Sequence, residues 1–463
     1  MTRFKIVTSR KTLYLCVAAF LGFTMAVLAG TFDPNLQDFP DPTGAVRTVS
    51  TTGSVDTTNP FFQSLGTNGR ACISCHQPGD AWTVTPKHIR ERFEASDGQD
   101  PIFRPVDGAN CPSADVSTEE AREHAYSMLL HKGLIRISLA VPNNAEFEVT
   151  RVQDPHNCPE TTPQQLAMFR RPLPSTNLGF LSTVMWDGRE NAPGQSINMD
   201  LMTQAKDATL GHAQAAVAPT DLQAAQMVSF ELALFTAQSR DHAAGKLNVH
   251  GAQGGPEALS TQPFHIGIND VLGHDPSGAP FDPNAFTIFK NWTDPDSIPR
   301  EEARESVARG EKLFNTLPIP ITGVGGLNDA LNQPLIMGTC TTCHDAPNAG
   351  DHSVSLPINI GITDFPALAP LDTRGLPVYT LVCKATGQKF RVTDPGRAMI
   401  SGKCADIGKT KGPILRGLAA RAPYFHNGSA ATLADVVSFY DVRFHLNLSE
   451  QEKADLVAFL RSL

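Results

Sequence analysis

Two short segments place cysteine and histidine at a spacing that can do chemistry. Cys72-Ile73-Ser74-Cys75-His76 and Cys340-Thr341-Thr342-Cys343-His344 both read CxxCH. Two thiols three positions apart on one turn can each form a thioether to one vinyl group of a porphyrin. The adjacent imidazole then meets the iron from the same side. One copy alone could be a zinc or thioredoxin-like CxxC that happens to precede a histidine. Two copies in one chain point to c-type haem attachment. Cys72, Cys75, Cys340 and Cys343 are thus the expected anchors of two covalently bound haems c, with His76 and His344 as iron ligands.

The chain holds 9 cysteines. Cys16 falls in an N-terminal stretch that reads as an export signal. Arg3, Lys5, Arg10 and Lys11 form a basic start, Leu13 to Ala29 is uncharged and apolar, and Val27 and Ala29 suit a cut after Ala29. An uncleaved anchor is the other reading of that run, which is close to the minimum spanning length. Cleavage gives an exported, periplasmic protein with no stable membrane insertion. That compartment is oxidising, so the remaining Cys111, Cys158, Cys383 and Cys404 are expected as disulfides. Pairing each with its neighbour in sequence gives Cys111–Cys158 and Cys383–Cys404.

Composition excludes other classes. Across 463 residues there are 38 Lys and Arg against 47 Asp and Glu, a net charge of −9. Such a balance argues against binding nucleic acid. It suits docking of a basic electron donor, a small cytochrome or a cupredoxin. A single long apolar run excludes a multi-span membrane protein.

Helices must hold the two haem motifs. Arg300 to Asn315 puts Ala303, Val307, Gly310 and Phe314 on one face. Ser449 with Glu452 forms a capping box, followed by an apolar stripe of Leu456, Phe459, Leu460 and Leu463. These two helices are expected to cross, with Gly310 allowing close approach. Thr432 with Asp435 starts another helix through Tyr440. Thr85–Glu94, Ser117–Gly133 and Asp221–Ser239 complete the helical expectation. Strand signals are confined to Phe147–Val152 and Val378–Val382. The expected fold is mainly α: two cytochrome c-like haem domains, at 30–298 and 299–463 after a signal at 1–29, with long loops and few short strands.

The sixth axial position decides between electron transfer and chemistry, because an open site binds peroxide or oxygen. In the second half Met399, Lys409, Tyr424 and His426 are the options. In the first half His88, His124 and His131 read as solvated or capping residues. Trp186, beside a tight Asp187-Gly188 turn between the two motifs, reads equally as a core aromatic or an electron relay.

Together these segments resemble the bacterial di-haem cytochrome c peroxidase/MauG superfamily. The resemblance rests on both CxxCH motifs, Met185–Arg189 (MWDGR), and Gly412–Ser429 followed by Thr432–Tyr440, in the family's order. It implies two facing haem domains, a peroxide-reactive N-terminal haem, an electron-transferring C-terminal haem, and Trp186 between them. Trp186, Arg189 and Gln214 are the catalytic-site residues this implies. Two departures stand out. Lys409-Thr410-Lys411-Gly412 holds no methionine where such enzymes carry an axial ligand. Gln204 to Ala218 holds no glutamate where they carry the distal acid; Asp207, His212 and Gln214 are among its polar residues. An amide cannot replace an acid in proton transfer. The chain is also longer than an ordinary member, with extra sequence around 95–170 and 240–300, and in these respects it resembles divergent members such as the rubber oxygenase RoxA. Its bis-His C-terminal haem favours His426 as the sixth ligand here. Calcium between the domains, known in relatives, has no dedicated ligand set in this sequence and stays open.

The expected activity is reduction of hydrogen peroxide, with electrons passing from the C-terminal to the N-terminal haem. An oxygenase or protein-modifying oxidase, and a non-enzymatic di-haem electron carrier, are the competing readings.

Overall fold

The computed structural model describes residues 33–293 and 300–463, so the expected leader at 1–29 lies outside the described residues. Strands β1 (Asp38–Asp41) and β2 (Gly44–Ser50) form an antiparallel hairpin. The first CxxCH turn follows, and then helix α1 (Pro86–Ser96), opened by Thr85 with Pro86 in the first turn. Proline there already has the helical φ and gives up an N–H that would have no partner. The helix expected over Ser117–Gly133 is broken at Tyr126 into α2 (Glu119–Ala125) and α3 (Ser127–Lys132). Its cap is Thr118 rather than Ser117, with the Thr118 hydroxyl accepting from the Ala121 N–H at 3.1 Å. Gly133, at φ +61°, closes α3.

Strands β3 (Ile135–Ala140), β4 (Phe147–Gln153) and β5 (Gln165–Arg170) come next, with β3 and β5 paired antiparallel. Helix α4 (Ile197–Gly211) leads to α5 (Asp221–Leu232). The apolar run expected as one helix to Ser239 switches at Leu234 into strand β6 (Leu234–Asp241), followed by β7 (Gly245–Lys246). The cause is non-local. β6 pairs with β2 in antiparallel register, Leu234 opposite Ser50 and Asp241 opposite Gly44. Asn177 clamps its start: Thr236 donates its N–H to Asn177 Oδ1 (2.9 Å), and Asn177 Nδ2 donates to the Thr236 carbonyl (2.8 Å). A helix could not offer those groups, because its own hydrogen bonds would consume them.

The second half runs through α6 (Pro256–Leu259), α7 (Glu301–Thr316), the β8–β9 hairpin (Ile319–Thr322, Leu335–Gly338), β10 (Val378–Cys383), β11 (Lys389–Val392), α8 (Ala398–Ser401), α9 (Leu433–Phe444) and α10 (Glu450–Arg461). Helices α7 and α10 cross at Gly310, where an added Cβ would lie 2.0 Å from the Asp455 carbonyl oxygen. Arg309 and Ser306 close the same crossing on the Asp455 carboxylate at 2.8 and 2.6 Å. Phe314, Phe459, Leu460 and Leu463 then bury with Phe286, Phe289 and Trp292 in one core. Each such side chain contributes roughly 1.5–3 kcal/mol on burial. The capping boxes at Thr432/Asp435 and Ser449/Glu452 form as expected.

Helix makes up 29% and strand 17%, more strand than the two segments expected. Those two segments pair with each other: β4 lies antiparallel to β10, Phe147 opposite Cys383, and β11 flanks β10. This sheet crosses the expected division at 298/299, and Asp33–Leu463 packs as one unit. Both disulfides are present, Cys111–Cys158 and Cys383–Cys404.

Candidate functional site

The two CxxCH turns are built alike. Cys72–Ser74 and Cys340–Thr342 are single 3-10 turns. In each the third residue's hydroxyl caps the turn, Ser74 accepting from Ala71 (3.1 Å) and Thr342 from Thr339 (2.9 Å). Each histidine donates its Nδ1–H to a carbonyl six residues on: His76 to Trp82 (3.0 Å) and His344 to Gly350 (2.6 Å). That bond fixes the tautomer and leaves Nε2 free to bind a metal. Each imidazole packs on a phenylalanine, Phe61 at 6.1 Å and Phe314 at 5.9 Å between centroids.

Electrostatics agree with this use. Burial holds His76 down at about 4 and lowers His344, so both are neutral and able to ligate. Burial also pushes the Cys72, Cys340 and Cys343 thiols up to about 12. The four motif cysteines form no disulfide. Each motif opens onto a largely apolar cavity, of about 190 Å³ for the first and about 180 Å³ for the second. Free paired thiols, a tautomer-fixed histidine and an apolar cavity together fit a covalently bound haem at each motif.

Three residues line both cavities: Trp186, Lys411 and Pro413. Trp186 is fixed by donating its indole N–H to the Arg171 carbonyl at 2.8 Å, while its own carbonyl accepts from Lys411 at 2.9 Å. Its ring lies 6.0 Å from that of His426. His426 is 2% exposed and lines the second cavity, and neither ring nitrogen has a hydrogen-bond partner. Burial lowers its pKa to about 4 despite Asp394 at 3.5 Å. A buried, neutral, unpartnered imidazole facing an apolar cavity is available to ligate a metal. Tyr424 also lines this cavity, but its hydroxyl is committed to the Leu418 carbonyl (3.0 Å). Met399 is packed in a separate core with Cys383 and Ile407, and Lys409 is drawn to Asp329 and Asp406; neither lines the cavity.

The first cavity differs from expectation at one residue. Arg189 lines it, whereas Gln214 does not. Gln214 is exposed, held at φ +53° in the loop after α4, with its amide oxygen 3.4 Å from Asn68. The turn that ends α4 sends His212 inward instead. His212 lines the cavity, its Nδ1 hydrogen-bonded to the Asp107 carboxylate, which also receives Arg70 at 2.5 Å. His88 is held by Asp80 at 2.6 Å, and neither it nor His124 or His131 lines the cavity.

Two further features carry little or no local sequence signal. Glu231 lines the first cavity from α5, and burial pushes its pKa up to about 8. It is a lone acid within the apolar stretch Met227–Phe235, which is the one hint the sequence offers. The second is a buried ion network. Arg170 grips Asp394 with two hydrogen bonds (2.7 and 2.9 Å) and Asp187 with one (2.5 Å), and Arg189 reaches Asp187 at 3.2 Å. Burial would raise Asp187, but Arg170 and Arg189 override it and hold the carboxyl at about 2. The chain Arg189–Asp187–Arg170–Asp394–His426 thus runs from one cavity wall to the other.

No family model matches the chain. Over 139 residues it is 35% identical to the cytochrome-c peroxidase IdrP1 of Denitromonas iodatirespirans, covering 27% of this chain and 36% of that one. Over that stretch the chain is similar to cytochrome-c peroxidases. It matches IdrP1 of Pseudomonas sp. (strain SCT) at 30% over 144 residues, 27% of this chain and 36% of that one. The cytochrome c551 peroxidase of Nitrosomonas europaea matches at 27% over 146 residues, 30% and 36% of the two chains. The chain therefore spans about a third of the length of the peroxidases it matches. A solved structure of a MauG-like protein associated with microbial copper homeostasis aligns over 88% of this chain and 86% of that one, at 16% identity and a TM-score of 0.39.

Proposed function

We propose that this chain is an exported di-haem c-type oxidoreductase that reduces hydrogen peroxide. The observation that carries the reading is Trp186, one fixed indole lining both CxxCH cavities. Cys72, Cys75 and His76 hold one haem c, in the 30–298 half. Cys340, Cys343 and His344 would hold the other, in the 299–463 half, and His426 would offer a second imidazole to its iron. When bound, the haems supply the redox chemistry.

The chain's own residues do the rest. Trp186 offers a π-system between the sites, so electrons entering at the C-terminal site reach the N-terminal one. Arg189 places a positive charge, anchored by Asp187, at the wall of the first cavity. Reducing one peroxide to two waters takes two electrons and two protons. His212 is the group that can relay the protons, one at a time: Asp107 orients its ring through Nδ1, leaving Nε2 to exchange a proton. A small cytochrome or cupredoxin supplies the electrons, docking on the acidic surface.

The test is absorbance and EPR of the holoprotein, oxidised and half-reduced, before and after peroxide. The reading expects one low-spin site and one that reacts with peroxide once the other is reduced. Two low-spin sites inert to peroxide even after half-reduction would sink it. Oxygen consumption with an organic substrate, without peroxide turnover, would replace it with an oxygenase.

A further inference from the structure

The loop that carries His344 continues into a buried cluster beside the second cavity, whose wall His352 shares. Asp345 follows His344 directly. Its carboxylate accepts from His352 Nδ1 at 2.9 Å and from the Ser353 N–H at 2.6 Å. Asp270 approaches from the added 240–300 segment. A ligand atom from each of Asp270, Asp345 and His352 lies within 4.8 Å of the other two. The three are 2%, 0% and 5% exposed.

The cluster is short of positive charge. Among the described residues neither carboxylate is ion-paired with lysine or arginine; Asp345 meets His352, and Asp270 meets His274. Asp270 Oδ1 is buried with no hydrogen-bond partner, and so is the hydroxyl of Ser353, the residue after His352. An unpartnered buried carboxylate oxygen next to a second carboxylate is costly unless a cation joins them. The ligand types narrow the choice. Calcium and magnesium take oxygen ligands, whereas an imidazole with two carboxylates suits a divalent first-row metal, zinc above all.

We propose that Asp270, Asp345 and His352 bind one divalent metal ion of the zinc class, with a fourth position left to water or to Ser353. The ion ties the added segment to the loop bearing His344. It is a site separate from the two haem irons, and it holds or fails independently of the peroxidase reading.

The experiment is metal analysis of the purified holoprotein, after dialysis against EDTA and after return of zinc. The expected result is one chelatable zinc per chain beyond the haem iron. In Asp270→Asn that zinc is lost, while an Asp282→Asn control, in the same segment but exposed, keeps it. Should Asp270→Asn fail to fold, cobalt titration of the EDTA-treated wild type serves instead. Saturation at one equivalent with visible d–d bands supports the site. No uptake of zinc or cobalt by the wild type, or equal uptake by folded Asp270→Asn, overturns it.

Discussion

The rings of Trp186 and His426 stand 6.0 Å apart and tilted by 60°, and the backbone of a single residue holds both. Arg171 donates its N–H to the His426 carbonyl (2.6 Å) and accepts the Trp186 indole N–H on its own carbonyl (2.8 Å). Its guanidinium donates to the carbonyls of Lys132, Val84 and Arg421 (3.1, 2.8 and 3.0 Å). Burial lowers its pKa to about 10, which still leaves it charged at neutral pH. A buried cation in a cage of backbone oxygens thus pins the element between the two sites.

Replacing the indole should therefore break communication between the sites without disturbing either one. Trp186→Phe keeps an aromatic ring but loses the bond to Arg171. Inter-site electron transfer, followed by stopped-flow after rapid reduction, should slow by at least about ten-fold, equivalent to roughly 1.4 kcal/mol of barrier. The absorbance of the fully oxidised protein should stay unchanged. Unaltered transfer would mean that Trp186 is a packing residue only.

His426 is predicted to be an axial ligand, and ligation has a spectroscopic signature that burial lacks. His426→Gly should convert the C-terminal site from low to high spin in the oxidised EPR spectrum. Added imidazole, entering the vacated space, should restore the low-spin signal. A His426→Gly protein that remains fully low-spin would return the ligand to Tyr424, the other option lining that cavity.

What the sequence discloses follows the range of the interactions. The CxxCH turns, the capping boxes and the α7–α10 crossing depend on residues a few positions apart or on one apolar stripe, so they are legible. The disulfides add only an even remainder and a compartment. The helix-to-strand switch at Leu234 is hidden because it depends on Asn177 and β2. His212 is hidden for the same reason. Its orientation comes from Asp107, 105 positions earlier, so nothing in the sequence singles it out over Gln214, which the turn after α4 puts outside.

That exchange of roles is testable by a pair of variants. His212→Gln removes the proton-carrying nitrogen while preserving an amide that can still meet Asp107. Peroxide turnover should fall by about 10²–10³, within the range typical of a lost general acid–base group. Gln214→Ala should leave turnover within about two-fold, since its side chain is exposed. The reverse ranking, measured by steady-state peroxide consumption, would restore Gln214 to the site.

Glu231 links the first cavity to the pH dependence of stability. Its folded pKa is raised by burial from 4.5 to about 8. Between those values the folded protein keeps the proton and the unfolded chain releases it. The unfolded state then binds fewer protons, so stability falls as pH rises through this window and levels off above it. The full effect is roughly 3–5 kcal/mol. Glu231→Gln cannot ionise and should flatten that slope. Its denaturation midpoint should match wild type near pH 4.5 and exceed it at pH 8. Parallel midpoint-versus-pH curves for the two proteins would show that Glu231 is ionised in the folded state and compensated by a partner.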